Sequence, residues 1–430
     1  MLETRKKSGL VVGNSSGSKT FRPLFRLLGL SLAFTLAAAA DTVCLLDFGP
    51  AGQGGDDTNV FQTAIDATAA SGDILEVPVS DQPYNVGPLN FPSNAQLLLD
   101  PGTVVQARSG YSSNQRMLNI YDVSNVSISG TPGQSIFQML KSEYTSGEYR
   151  HCLDIEQSNN VTISGIECNS SGGDGVYIGG GSTNVSISDS SFDNNRRQGM
   201  SITSANGVTV TNSSFTNTSG TAPSAGIDLE PNGPSDLLQN ILIQDSSVSG
   251  NAGDGLMISI GELNYHSQPI SITVDTVASS SNQGSGFVVR SEHDDGTAAA
   301  PGSITIQNSS STSDAHYGAA ALFYDASGAS LLFQNMCVVD ANSSRGTFDN
   351  AAIAVARGGG DSSAMGNVTF TGASIADTQG YLDAYFTVED YSHSGLSNIH
   401  VGNFGTLSGL PEGTHLGILN EVPVDSVDIN

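Results

Sequence analysis

"GDGVYIGGGSTNVSISDSSFDNN", residues 173–195, decides the fold. In one short unit it holds a Gly-led apolar strand, a turn, an alternating Val-Ser-Ile-Ser run and a Phe followed by Asn. The same sentence returns on either side as "HCLDIEQSNNVTISGIECNSSG" (151–172), "RQGMSITSANGVTVTNSSFTNTSG" (197–220) and "AGIDLEPNGPSDLLQNILIQDSSVSGN" (225–251). It continues as "DGLMISIGELNYHSQPISITVDTVASSSN" (254–282) and "SGFVVRSEHDDGTAAAPGSITIQNSSSTSD" (285–314). A unit this small cannot bury its own apolar face, so units must stack with equivalent strands about 4.8 Å apart. The product is an all-β solenoid, a parallel β-helix.

Strand alternation then sorts the side chains. Ile155, Ile178, Ile202, Leu229, Ile258 and Val289 are expected to form one inward ladder, and Cys168, Phe192 and Phe215 a second, with Cys168 a buried thiol. Asp154, Tyr177, Ser201, Asp228, Met257 and Val288 are expected to point outward on an exposed sheet. Asn125, Asn160, Asn184 and Asn367 precede Val-Ser or Val-Thr at a repeated turn, where asparagine tolerates left-handed backbone; each also forms a glycosylation sequon.

Composition agrees with many short strands and turns: 50 Gly, 13% charged residues and no Trp in 430 residues. A net charge of -27 argues against nucleic acid and anionic membranes as partners. Basic residues Arg5, Lys6, Lys7, Lys19, Arg22 and Arg26 precede the apolar run "LLGLSLAFTLAAAA", which reads as a secretory signal peptide over residues 1–40. Export makes the expected location extracellular and the expected state monomeric, with no membrane contact after cleavage. The four cysteines do not make a disulfide framework, and their spacing names no bridge.

Residues 41–110 read as an N-terminal cap with the first coils, and 111–430 as the β-helix with irregular C-terminal coils. In the cap, Asp56 or Asp57 is an expected N-cap, Val60, Phe61, Ala64 and Ile65 have helical spacing, and Gly72 is a stop. In the tail, "DAYFTVEDYSHSG" (383–395) reads as an irregular strand or loop.

The opening segment "DFGPAGQGGDDTNVFQTAIDAT" (47–68), with "VP" (77–78), Tyr84 and "LLLDPGTVVQA" (97–107), resembles that of the pectate lyase-like superfamily of right-handed parallel β-helix proteins, which includes polygalacturonases. The resemblance implies a capping helix and an extracellular enzyme acting on a polysaccharide as hydrolase, lyase or epimerase; a minority of members only bind or adhere. Against polygalacturonase motifs the match is partial. His151 stands at the place of a catalytic aspartate, Gly173 and Asp174 at that of paired aspartates, and Gln198 at that of a histidine; no Arg-Ile-Lys follows. The "DPHD" signature of alginate epimerases is also missing.

The residues themselves point to "SAGIDLEPNG" (224–233), where Asp228 and Glu230 share one strand face about 6.6–7 Å apart. Inverting glycosidases hold two carboxyl groups roughly 6.5–9.5 Å apart, so the pair suits acid and base catalysis. Asp254 is a third candidate catalytic acid, while Arg196, Arg197, Tyr177, Asp174, Asp154 and His151 are candidate substrate-binding residues. Asp174 and Asp254 lie in "GDG", where an acid capping a turn is the plainer explanation, and Arg197 has a plain alternative as an ion-pair partner of Glu230 or Asp228. No cofactor is required, although calcium could bind through Asp228, Glu230 and Asp254. His293 in "RSEHDDG" reads as part of a solvated rim loop. The expected function is a glycoside hydrolase; a uronate lyase or epimerase using the arginines, and a non-catalytic glycan-binding wall or adhesion protein, are the alternatives.

Overall fold

The structure, a computed structural model, describes residues 13, 40–291, 298–345, 347–358, 363–410, 416–420 and 427–429. Apart from residues 13 and 40, the expected signal segment lies outside the described residues, as does His293. From residue 40 on, the chain winds as a parallel β-helix of three sheets with 14, 12 and 12 strands, and every strand pair within the three sheets is parallel. Successive strands of one coil go to successive sheets, and parallel crossovers of this kind are right-handed.

Residues 173–195 show how a coil is made. Val176–Gly179, Ser182–Ser188 and Ser191–Asp193 are its three strands, and each hydrogen-bonds to its counterpart in the coils before and after. The turn between the second and third strands has its left-handed residue at Asp189, and the turn between the first and second uses Gly180 and Gly181. The sequon asparagines hold left-handed backbone, with φ of 61°, 57°, 55° and 58° at Asn125, Asn160, Asn184 and Asn367. Their side chains also stack, as Asn160 Nδ2 donates to Asn125 Oδ1 at 2.8 Å.

The expected inward ladder is present in register from Ile155 to Val289, and all six residues are buried. Phe192 and Phe215 stack at 5.2 Å with rings 6° from parallel. Cys168 pairs in register with Phe192 but is not a free thiol. It forms a disulfide with Cys152 in the preceding part of the same coil, with the two Cα atoms 6.0 Å apart. Closing a loop of 16 residues stabilises by about 3 kcal/mol on the chain-entropy account.

The helix α1, Thr58–Ser71, packs Phe61, Ala64, Ile65, Thr68 and Ala69 against the first coils, with Phe61 edge-on to Tyr84 at 5.3 Å. Asp57 precedes it, but its carboxylate accepts the Gly52 and Asn85 amides; Asp56 Oδ1 accepts the Thr58 amide at 3.0 Å. Gly72 ends the helix in left-handed backbone at φ 84°. In the tail, Ala384–Asp390 is a regular strand where an irregular strand or loop is expected. It pairs in register with Ala351–Arg357, because Phe386 and Val388 alternate inward like the earlier coils.

Truncating the ring at the centre of the Phe stack tests this core. Phe215→Ala should cost about 3–5 kcal/mol, read as a lower midpoint in guanidinium unfolding with an unchanged strand signal in circular dichroism.

Candidate active site

One 12-stranded sheet carries the candidate residues, and its register assigns each an address. The first outward column runs Asp154, Tyr177, Ser201, Asp228, Met257 and Val288, one per coil, as alternation requires. Two residues later, the second column includes Glu156, Gly179, Ser259 and Arg290, and Glu230 directly follows Leu229 at the same address.

The outward direction is as expected, but the exposure is not. Asp228 is 0% exposed, and Asp154, Asp174 and His151 are also buried. Around Asp174 and Arg197 the segment between Met139 and Arg150 crosses the turns of these coils. A Cβ on Gly173 would sit 2.2 Å from the Glu148 carbonyl oxygen, and one on Gly172 would sit 2.5 Å from the Tyr144 ring. Only glycine admits so close a crossing. Lys141 fastens the same segment by donating to Asn194 Oδ1, the Asn195 carbonyl and Ser219 Oγ at 3.0–3.2 Å. Past Asp228 the outward face becomes apolar, where Met257, Val288, Ala320 and Ala354 form a second buried cluster with Tyr317 and Ala356.

Arg197 is the hub of the polar part. Its guanidinium lies 3.2 Å from Glu230, 3.5 Å from Glu148 and 3.8 Å from Asp174. Glu148 and Glu230 are 48% and 42% exposed, so they are the carboxylates that solvent or a ligand reaches. Asp228 lies beneath Glu230. Gln198 Nε2 donates to its Oδ2 at 2.6 Å, and its Oδ1 has no donor among the described residues. Burial, with the adjacent Glu230 carboxyl, pushes Asp228 well above the usual carboxylate range. Burial thus favours the neutral form of Asp228, while Glu230 keeps its contact with Arg197 at the surface.

Asp154 faces Arg116 Nε at 3.2 Å, and Glu156 lies 3.9 Å from the same guanidinium. Burial raises Asp154 to about 7, with Glu156 adding to the rise. Burial likewise raises Asp174 to about 7. His151 accepts the Asp174 backbone amide on Nδ1 at 3.0 Å and stacks on Tyr177 at 5.0 Å. Burial, reinforced by Arg116 and Arg197, keeps it neutral, well below its ordinary value. The Tyr177 hydroxyl hydrogen-bonds Thr203 at 2.9 Å, so this ring is a wall of the site more than an open platform.

Two candidates lie elsewhere. Asp254 Oδ1 accepts the Ser285 amide at 2.6 Å and its other oxygen lies 3.7 Å from Arg290, so it serves the next coil and not the acid pair. The calcium set of Asp228, Glu230 and Asp254 is therefore not assembled. Arg196 donates to the Thr145 carbonyl at 3.2 Å and secures the overlying segment. Sequence reasoning did not name Glu148, Arg116 or Glu156. Glu156 had a signal: "LDIE" (153–156) and "IDLE" (227–230) place Asp-x-Glu at the same two addresses three coils apart. Glu148 had none, because it lies in the segment outside the repeat.

The family profile described as right handed beta helix region matches residues 117–292. That match covers less than half of the chain and agrees with the right-handed parallel β-helix of the structure. This β-helix resembles the A-module of a mannuronan C-5 epimerase from Azotobacter vinelandii, with TM-score 0.68, 16% identity, and coverage of 91% of this chain and 100% of that one. It also resembles the family 28 exopolygalacturonase of Yersinia enterocolitica, with TM-score 0.62, 13% identity, and coverage of 91% and 78%. A third similar structure is the catalytic unit of an alpha-1,3-glucanase from Streptomyces thermodiastaticus, with TM-score 0.55, 16% identity, and coverage of 91% and 70%. At these identities the likeness is one of fold. No curated protein matches the chain in sequence.

The raised aspartates fix a sign for stability. Both Asp154 and Asp174 move from 3.8 to about 7 on folding. Between those values the folded chain keeps protons that the unfolded chain has released, so stability falls as pH rises through that window and levels off above it. Melting temperatures at about pH 5 and about pH 8 should differ less in Asp174→Asn than in the unaltered protein, because one of the retained protons is gone.

Proposed function

We propose that this protein is a secreted enzyme that hydrolyses a neutral polysaccharide, with the Asp228–Glu230 pair as its acid. The observation that carries this reading is the geometry of the pair: a buried Asp228 held by Gln198 next to an exposed Glu230 that Arg197 braces. Glycoside hydrolysis needs one carboxyl to protonate the departing oxygen and a second carboxylate to activate water or attack the sugar. Glu230 is the member a sugar reaches, and Asp228 holds the proton that passes through it. Glu148, across Arg197, supplies the second carboxylate.

Charge selects the substrate class. Around Arg197 the two exposed carboxylates Glu148 and Glu230 face a single guanidinium, which disfavours a uronate carboxylate at that point. A neutral glycan meets no such penalty. The net charge of -27 acts in the same direction at longer range. The shared fold with proteins named as an exopolygalacturonase and an alpha-1,3-glucanase supports a polysaccharide-acting role. The basic and apolar N-terminal sequence and the Cys152–Cys168 disulfide support export to an oxidising compartment.

Incubation with a panel of neutral and acidic polysaccharides should release new reducing ends from a neutral one, without ultraviolet-absorbing unsaturated ends. Glu230→Gln should lower that rate roughly a hundred- to ten-thousand-fold, the range expected for losing a general acid, with the melting curve retained. Unsaturated ends from a uronate polymer would instead establish a lyase, and binding without turnover on every glycan would establish an adhesion protein.

A further inference from the structure

The second outward column runs from Glu230 toward the N-terminus as an unbroken file. Tyr121, Glu156 and Gly179 pair in register in successive coils, and Thr203 and Glu230 hold the same address in the next two, each directly after a residue of the inward ladder. Gly179 leaves no gap. A Cβ there would lie 2.7 Å from the Tyr177 ring and 2.8 Å from Thr203 Oγ1, so that ring fills the address from the neighbouring column. The hydrogen bond from Tyr177 to Thr203 carries the file on toward Glu230.

At its far end stands Tyr121. Ile120 is buried, so strand alternation turns Tyr121 outward, where it is 55% exposed. Its ring and hydroxyl have no hydrogen-bond or aromatic partner among the described residues. In the next coil Arg116 lies 3.2 Å from Asp154 and 3.9 Å from Glu156, and its guanidinium is 5.9 Å from the centre of the exposed Tyr149 ring. Two carboxylates already match this cation, so what Arg116 and the part-exposed Glu156 offer a ligand is N–H donors beside a carboxylate acceptor. An open aromatic face next to paired donors and acceptors suits a pyranose, whose C–H face packs on a ring while its hydroxyls both give and take hydrogen bonds.

We propose that Tyr121 is a sugar-binding subsite at the far end of this file: its ring stacks on one unit of a neutral glycan, and Arg116 and Glu156 hydrogen-bond the hydroxyls of the next. The proposal rests on the reading of Glu230 as the acid and adds that the substrate is a chain of some length. Tyr121 and Glu230 are four coil steps, about 19 Å, apart. A hexasaccharide spans that distance and a disaccharide does not.

Affinity electrophoresis of Glu230→Gln through gels holding β-glucan, α-glucan, xylan, galactomannan or polygalacturonate tests this, followed by kinetics of the active enzyme on the glycan that retards it. One neutral glycan should slow the protein. Adding Tyr121→Ala should weaken that retention about fivefold, and Tyr121→Phe, which keeps the ring, should preserve it. In the active enzyme Tyr121→Ala should raise KM about fivefold with kcat within about twofold, the signature of lost uniform binding. The unaltered protein should bind a hexasaccharide of that glycan about fivefold tighter than a disaccharide, and Tyr121→Ala should abolish the preference. Unchanged retention and KM in Tyr121→Ala, with Glu230→Gln inactive, would overturn the subsite and leave the acid pair standing. Weakened retention in Tyr121→Ala with a fully active Glu230→Gln would uphold the subsite and remove the acid pair. Retardation by none of the neutral glycans, or by polygalacturonate alone, would also overturn the subsite.

Discussion

Backbone hydrogen bonding between parallel coils is the constraint on which the rest of this molecule depends. Each strand finds its partners one coil away, about 4.8 Å along the axis, so a residue's place in its repeat fixes both its direction and its neighbours. The core follows from this, as Ile155 to Val289 and the stacked Phe192 and Phe215 are the inward halves of the same alternation. So does the site. Asp154 and Asp228 face outward because Ile155 and Leu229 face in.

The chemistry comes from what interrupts the repetition. An outward carboxylate on a bare sheet would be solvated and ordinary. The segment from Met139 to Arg150 crosses the face, Gly172 and Gly173 let it approach, and Arg197 then lies among Glu148, Glu230 and Asp174. Burial raises Asp154, Asp174 and Asp228 above the usual carboxylate range, while it drives His151 the other way. The same physical cause thus yields three acids that hold protons and a histidine that does not.

The division between what could be read in the sequence and what could not follows the same line. Fold, coil register, capping helix and the outward direction of Asp228 were legible, because each is periodic or has local stop signals. The burial of that face was not, since nothing in a non-repeating segment says where it will lie. Asp254 was misplaced for a related reason: a turn acid in "GDG" looks available, yet its oxygen satisfies the amide of the next coil. The Cys152–Cys168 bridge was also hidden, because one partner occupies a position that is glycine in the next coils and the other stands in the Phe stack.

The carboxyl pairs at 154/156 and 228/230 show that the solenoid can offer the same two outward addresses three coils apart. A duplication or deletion of one whole repeat would preserve the strand register and translate the downstream anchors by a single coil relative to the crossing segment. Evolution in such a molecule need not rebuild a site to alter its reach. It can shift an existing carboxyl pair along the axis in fixed steps, and the spacing between anchors becomes a heritable ruler.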